Sequence, residues 1–321
     1  MQRDSELDLI TRQFRENPSV RAKASIHLVT DVLGPTDWLA GPGDDAAIVT
    51  TGDVHLLVGG EAIFPPFVAS DPHGAGVAAV LTNVNDIAAM GGRPLAIVDT
   101  IVGEEPVARQ ALEGMREAAG LFGVPIVGGH LSVRPGPPAL SAFAVGRAER
   151  PLSARHAAPG QALLLAACLE GEMRDDFPFF SGVRRRGPRM RDDVELLPQA
   201  AEAGVCVAAK DVSMAGLLGS LAMLLEPNRV GCAVDLELVP RPDGVPLARW
   251  LQAFPSYGFL LCSAAGLALD CRRLFQNAGL ACEIVGTIDG SGQLRARLHG
   301  REALLLDTAT EPVTGLMRPD A

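Results

Sequence analysis

Apolar and polar positions along this chain follow two rhythms, one with a period of three to four residues and one with a period of two. Residues 5–15 place Leu7, Ile10 and Phe14 on one helical face, and residues 19–33 read as a second helix. After Pro42-Gly43 the pattern shortens. Residues 46–50 and 54–58 are β-type runs joined by Thr51-Gly52-Asp53, a hairpin signal. From Gly74 to Met90, the residues Val77, Val80, Leu81, Val84, Ile87 and Ala88 fall three or four apart, which predicts a buried helix. A strand at 95–102, a helix at about 106–122 and a strand at 125–127 follow. A glycine turn at 128–129, a Pro-rich loop at 134–138 and a strand at 139–147 complete this half. Such alternation indicates a mixed α/β (α+β) domain.

The pattern breaks at residues 148–160, through Pro151 and Ala157-Ala158-Pro159-Gly160, so the expected domains are 1–150 and 151–321. In the second, strands are expected at 161–167, 205–209, 231–236, 258–263, 281–287 and 293–298. Helices are expected near 192–203, 213–225, 245–253 and 269–278. The polar stretch 171–192 carries Arg184, Arg185, Arg186, Arg189 and Arg191. It reads either as a clamp for an anionic substrate or as a solvated loop offset by Asp175, Asp176, Asp192 and Asp193.

Composition narrows the function classes. A length of 321 residues suits two domains, and 48% hydrophobic with 21% charged residues is globular. A net charge of −10 argues against nonspecific nucleic-acid binding but leaves local phosphate sites open. The six cysteines all lie from Cys168 onward without a Cys-x-x-Cys pair, so buried reduced thiols are expected rather than zinc. The acidic N-terminus is unlike a signal peptide, and no apolar run reaches membrane-spanning length. The expectation is a cytoplasmic protein that engages neither membrane nor nucleic acid.

Acidic and glycine-rich signals recur at the ends of the expected elements. Gly43-Asp44-Asp45-Ala46-Ala47 opens a strand, and Gly59-Gly60-Glu61 closes the next. Asn83 and Asp86, three apart, project from nearly one face of the apolar helix, where a carboxylate is costly unless a cation or hydrogen bonds hold it. Asp211 follows the 205–209 strand, and Gly128-Gly129-His130 offers strand-end amides to phosphate. Each has a plain alternative as a turn or a helix cap. Together, oxygen donors without a Cys–His cluster suit Mg²⁺, which usually arrives with nucleotide phosphates. There is no P-loop signature. Gly74-Ala75-Gly76-Val77-Ala78-Ala79 imitates a dinucleotide fingerprint, but Pro65, Pro66 and Pro72 stand where its strand should run. An NAD-linked oxidoreductase is the weakest reading.

In this order the motifs resemble the aminoimidazole ribonucleotide synthetase-like superfamily, over about residues 40–290. Gly43–Ala47 is similar to its Gly-Asp-Asp-Ala-Ala element. Asp71-Pro72 with Asn83-Val84-Asn85-Asp86-Ile87-Ala88-Ala89-Met90-Gly91 resembles the Asp-Pro … Asn-x-Ser-Asp-x-Ala-Ala-Met-Gly run of the thiamine-monophosphate kinase branch. Gly128-Gly129-His130 and Asp211-Val212-Ser213-Met214-Ala215-Gly216-Leu217-Leu218-Gly219 resemble selenophosphate synthetase elements. The resemblance implies a two-domain fold whose N-terminal sheets pair in a homodimer and whose C-terminal domain is an α/β sandwich.

It further implies ATP and Mg²⁺ as cofactors, with Asp44, Glu61, Asp86 and Asp211 as metal ligands. Gly43, Asp44, Asp45, Asn83, Gly128, Gly129 and His130 would hold the nucleotide, Asp45 being either a second metal ligand or a turn former, with Asp86 and His130 catalytic. Departures are equally specific. No cysteine precedes Cys168, which disfavours selenide activation; Phe254–Leu261 lacks the kinase's acids, and Met214 replaces an Asp. The expectation is therefore an ATP-dependent, kinase- or synthetase-like phosphotransferase of a selenophosphate synthetase-related branch, acting on an oxygen of a small substrate, anionic if the arginine-rich stretch is its clamp. The alternative is a nucleotide-binding member that has lost its chemistry.

Overall fold

The structure, a computed structural model, describes residues 5–34, 43–175 and 177–316. Pro42, in the expected break, and Asp176, in the arginine-rich stretch, lie outside them. The chain forms two compact units. One comprises Asp45–Pro151 with Gly187–Gln199, and the other Met1–Asp44, Leu152–Arg186 and Ala200–Ala321. They are called the N-half and C-half units here.

The N-half unit is a five-stranded sheet covered by helices. Strands β1 (Ala47–Thr51), β2 (Val54–Ala62), β3 (Arg93–Gly103), β4 (Ile126–Val133) and β5 (Ala139–Ala148) lie in the order β1-β2-β5-β3-β4. Only β3 and β4 pair in parallel. The hairpin signal is realised, with Thr51 opposite Val54. Helix α5 (Pro72–Ala89) fills the predicted span. Asp71 caps it by accepting from the Gly74 amide at 2.9 Å, and Pro72 needs no amide partner in the first turn.

With α4 (Pro65–Ser70) and α6 (Glu105–Phe122), α5 covers one face of the sheet, where Leu140, Ala142, Ala144 and Ala148 of β5 are buried. A Cβ at Gly76 would strike the carbonyl of Ala111, and one at Gly114 the carbonyl of His73, so glycine on both helices permits their close packing. The opposite face carries Val49, Val58, Val98, Phe143 and Val145, all exposed in this chain. Register places Val98 and Gly60 on either side of Phe143. Gly60 is needed there, because a Cβ would enter the Phe143 ring. The short α8 (Arg189–Val194) joins this unit, and the adjacent Glu195 pairs with Arg93 at 2.8 Å.

The C-half unit is built on a seven-stranded sheet. Its strands are β6 (Gln161–Ala167), β9 (Ala208–Asp211), β10 (Gly231–Asp235), β12 (Gly258–Ala264), β13 (Ala281–Asp289), β14 (Gln293–Leu298) and β15 (Arg301–Asp307). The order is β15-β14-β10-β13-β6-β12-β9. A small sheet of β7 (Glu172–Met173), β8 (Phe179–Ser181) and β11 (Phe254–Pro255) stands apart. Helices α1 (Glu6–Glu16), α2 (Pro18–Ala22), α3 (Leu28–Leu33), α7 (Val183–Arg186), α10 (Gly216–Leu225), α11 (Leu247–Trp250) and α12 (Ala268–Asn277) belong here, and α9 (Leu196–Glu202) brings the chain back to it.

The N-terminal helix buries Leu7, Ile10 and Phe14, as its spacing predicts, and packs on β14 and β15. Just past α10, the fully buried Glu226 carboxylate accepts from the amides of Val313 (2.8 Å), Thr314 (2.9 Å) and Gly315 (3.2 Å). All six cysteines are buried and outside any disulfide, as expected.

Several expectations change in detail, among them the 205–209 strand, displaced to β9 (Ala208–Asp211), and the 245–253 helix, shortened to α11 (Leu247–Trp250). The predicted 19–33 helix divides into α2, a 3-10 turn over 23–27 and α3. The 192–203 helix becomes α8 and α9. Helix α10 starts at Gly216 rather than 213, because Gly216 has φ +70° and a Cβ there would meet the Leu251 carbonyl. The predicted glycine turn at 128–129 is instead the interior of β4. Gly129 lies opposite Asp99 of β3, and a Cβ on it would overlap the Asp99 carboxylate. The glycine serves a close approach between strands.

Candidate functional site

Helix α5 brings polar chemistry into an apolar core. Its last two turns are buried throughout, yet they include Asn83 (0% exposed), Asn85 and Asp86 (6% exposed). Asn83 donates from Nδ2 to the Ala79 carbonyl at 2.8 Å, while its buried Oδ1 accepts no hydrogen bond. An unsatisfied amide oxygen of this kind costs about 1–3 kcal/mol, which points to a ligand that supplies the missing interaction.

The turn entering β1 places Asp45 in the same unit, with a carboxylate oxygen within 4.8 Å of one from Asp86. Two carboxylates this close repel unless positive charge stands between them. Oxygen donors at this spacing fit a hard divalent cation, and Asn83 lies one turn before Asp86 on the helix. The donor set in the N-half unit thus fits Mg²⁺, with Asp45 and Asp86 to hold it.

Asp44 has a different environment from its neighbour. It belongs to the C-half unit, where Oδ2 accepts from the Ser153 hydroxyl and Oδ1 from the Ala154 amide, both at 2.6 Å. Burial pushes its carboxyl up. The bonds from Ser153 and Ala154 and the charges of Lys210 and Arg155 oppose that rise. Both oxygens brace the turn against residues 153–154. Gly43, at φ +99°, makes the turn possible.

Asp211 ends β9, buried, with the Lys210 ammonium 3.4 Å from its Oδ1. Glu61 is exposed on β2 opposite Ala142 and does not join the Asp45–Asp86 pair. Gly128, Gly129 and His130 are exposed along the edge strand β4, with His130 opposite Thr100.

Two charged residues escaped the sequence reading. Asp99 shares the helix-covered side of β3 with Ile97 and Ile101, and burial raises its carboxyl above the usual range. Lys210 is 5% exposed in β9, between Ala209 and Asp211. The available signal was the same in both, an ionisable residue inside a run of apolar strand formers.

These elements define a class, the two-domain α+β architecture of the aminoimidazole ribonucleotide (AIR) synthase-like proteins. Residues 43–148 match the family described as AIR synthase related protein, N-terminal domain, and residues 160–299 match its C-terminal domain. The chain belongs to this family. It is 36% identical over 276 residues to an uncharacterised protein of Synechocystis sp., covering 85% of this chain and 86% of that one. It is 30% identical over 283 residues to the phosphoribosylformylglycinamidine synthase subunit PurL of Synechococcus elongatus, covering 78% of this chain but 36% of PurL.

Among solved structures, T. maritima PurL complexed with AMPPCP superposes with a TM-score of 0.75 at 17% identity, covering 97% of this chain and 51% of PurL. AaThiL complexed with AMPPCP and TMP gives 0.68 at 17% identity, covering 87% of this chain and 95% of ThiL. At such identities these likenesses establish the fold. No helix among the described residues is long and apolar enough to cross a membrane.

Proposed function

We propose that this protein is an ATP- and Mg²⁺-dependent enzyme that transfers a phosphoryl group to an oxygen of a small substrate. The observation that carries the reading is the Asp45–Asp86 pair beside a buried Asn83 oxygen that lacks a partner. Similarity to PurL along most of the chain supports it, as do relatives of this fold solved with ATP, ADP or AMPPCP. Asp45 and Asp86 would hold Mg²⁺, which when bound neutralises phosphate charge. Asn83 offers its Oδ1 to the ion or its water. His130 and the Gly128–Gly129 backbone are assigned to the phosphates, and Asp211 is kept as a metal-ligand candidate on the sequence resemblance. Asp44 is assigned a bracing role. Positioning and charge neutralisation supply the rate in such a transfer.

A second reading, a nucleotide-binding member without catalysis, is favoured by one feature. The segment 254–261 folds as β11 and the start of β12 and carries no acid. Calorimetry with ATP and Mg²⁺, followed by an assay of ADP release with candidate acceptors, separates the two. Binding with ADP release supports the enzyme, binding without release under any acceptor supports the second reading, and no binding refutes both. The uncovered apolar face of the N-half sheet supports a homodimer formed through it.

A further inference from the structure

Within the C-half unit one buried cation has a role that the proposed function leaves open. Lys210 and Asp211 are consecutive residues at the end of β9, so their side chains start out on opposite faces. The ammonium nevertheless stands 3.4 Å from Asp211 Oδ1, with side-chain exposures of 6% and 11%. It reaches that oxygen because β9 ends there. Along the strand it follows Ala208 and Ala209, and Leu260 stands opposite. The Asp44 carboxylate in the same unit also feels Lys210, together with Arg155.

The ammonium already answers the Asp211 carboxylate. A divalent ion arriving alone at Asp211 would displace the ammonium with nothing in return. An ion arriving with phosphates would not, because the phosphate oxygens give the ammonium a new partner. Resting on the proposed function, we infer that Lys210 is the resident counter-ion of Asp211, excluding a bare divalent ion and transferring to a phosphate oxygen when metal and nucleotide arrive together. The role is one of positioning and of coupling the two ligands.

The test is isothermal titration of Mg²⁺ alone, and of ATP in saturating Mg²⁺, into the wild-type protein, Lys210→Gln and Lys210→Arg. Removing a like charge at this range should tighten Mg²⁺ alone by about tenfold in Lys210→Gln and weaken ATP by about tenfold. Lys210→Arg should keep the wild-type order of affinities. If Lys210→Gln binds Mg²⁺ no more tightly than wild type, while wild type binds both ligands, the inference falls and the proposed function stands. If wild type binds neither ligand, both fall. Should Lys210→Gln fail to fold, wild type decides alone through Mn²⁺ titration followed by electron paramagnetic resonance. Mn²⁺ affinity raised at least about tenfold by ADP supports the coupling, and an unchanged affinity overturns it.

Discussion

Asp86 is the residue on which the candidate site turns, because it is a buried carboxylate on the apolar helix α5 with the Asp45 carboxylate close by. Asp86→Asn keeps the shape and removes the charge. It is expected to cut ATP turnover at least about a hundredfold, near 3 kcal/mol of barrier, with thermal stability unchanged or raised. Steady-state ADP release beside a melting curve checks both.

Asp99 behaves differently. Burial raises its carboxyl above the ordinary value of 3.8, so the folded state holds the proton more firmly than the unfolded chain. Stability from this group is therefore present at low pH and declines as pH rises from near 3.8 through the folded value. Asp99→Asn should raise the melting temperature by roughly 2 °C or more at pH 7.5 and lose that advantage below about pH 4. Asp86 was legible in the sequence as an acid on an apolar stripe. That Asp45, and not Asp44, stands beside it was not legible, since adjacent acids in one turn differ only in which way tertiary contacts take them.

Among elements, α5 and the β1–β2 hairpin could be read directly, because periodicity and turn chemistry are local. The Gly128–Gly129 doublet could not. A glycine pair signals a turn by its freedom, yet Gly129 is required by a carboxylate on the neighbouring strand, 30 positions away in the chain. The same absence of side chains lets α5 and α6 pack closely, and Gly76→Ala or Gly114→Ala should destabilise by about 3 kcal/mol in urea unfolding. The strands of the C-half unit also shield their thiols. Burial holds Cys232 and Cys262 up at about 12, so both stay protonated and unreactive at neutral pH. Ellman's reagent at pH 7.5 should find no fast-reacting thiol in the native protein and six after denaturation.

For the molecule as a whole, the exposed Phe143–Val145 face is the clearest sign of assembly. Phe143→Glu should convert a dimer to a monomer in sedimentation experiments, while a protein already monomeric at micromolar concentration would refute the proposed homodimer. The general architecture followed from the alternation of rhythms. The placement of α1 on β14 and β15 did not, since nothing local in residues 6–16 tells them to join strands some 290 positions later.

Glu226 gives residues 313–315 a structural duty. Its carboxylate is satisfied by amides from residues 313–315, which arrive only after every strand of the large sheet has been made. In a chain made from its N-terminus onward, that carboxylate goes without these amides until residues 313–315, 87 to 89 positions later, have been added. The C-half unit therefore completes its packing around Glu226 only once residues 313–315 are in place, in whatever order its sheet assembles.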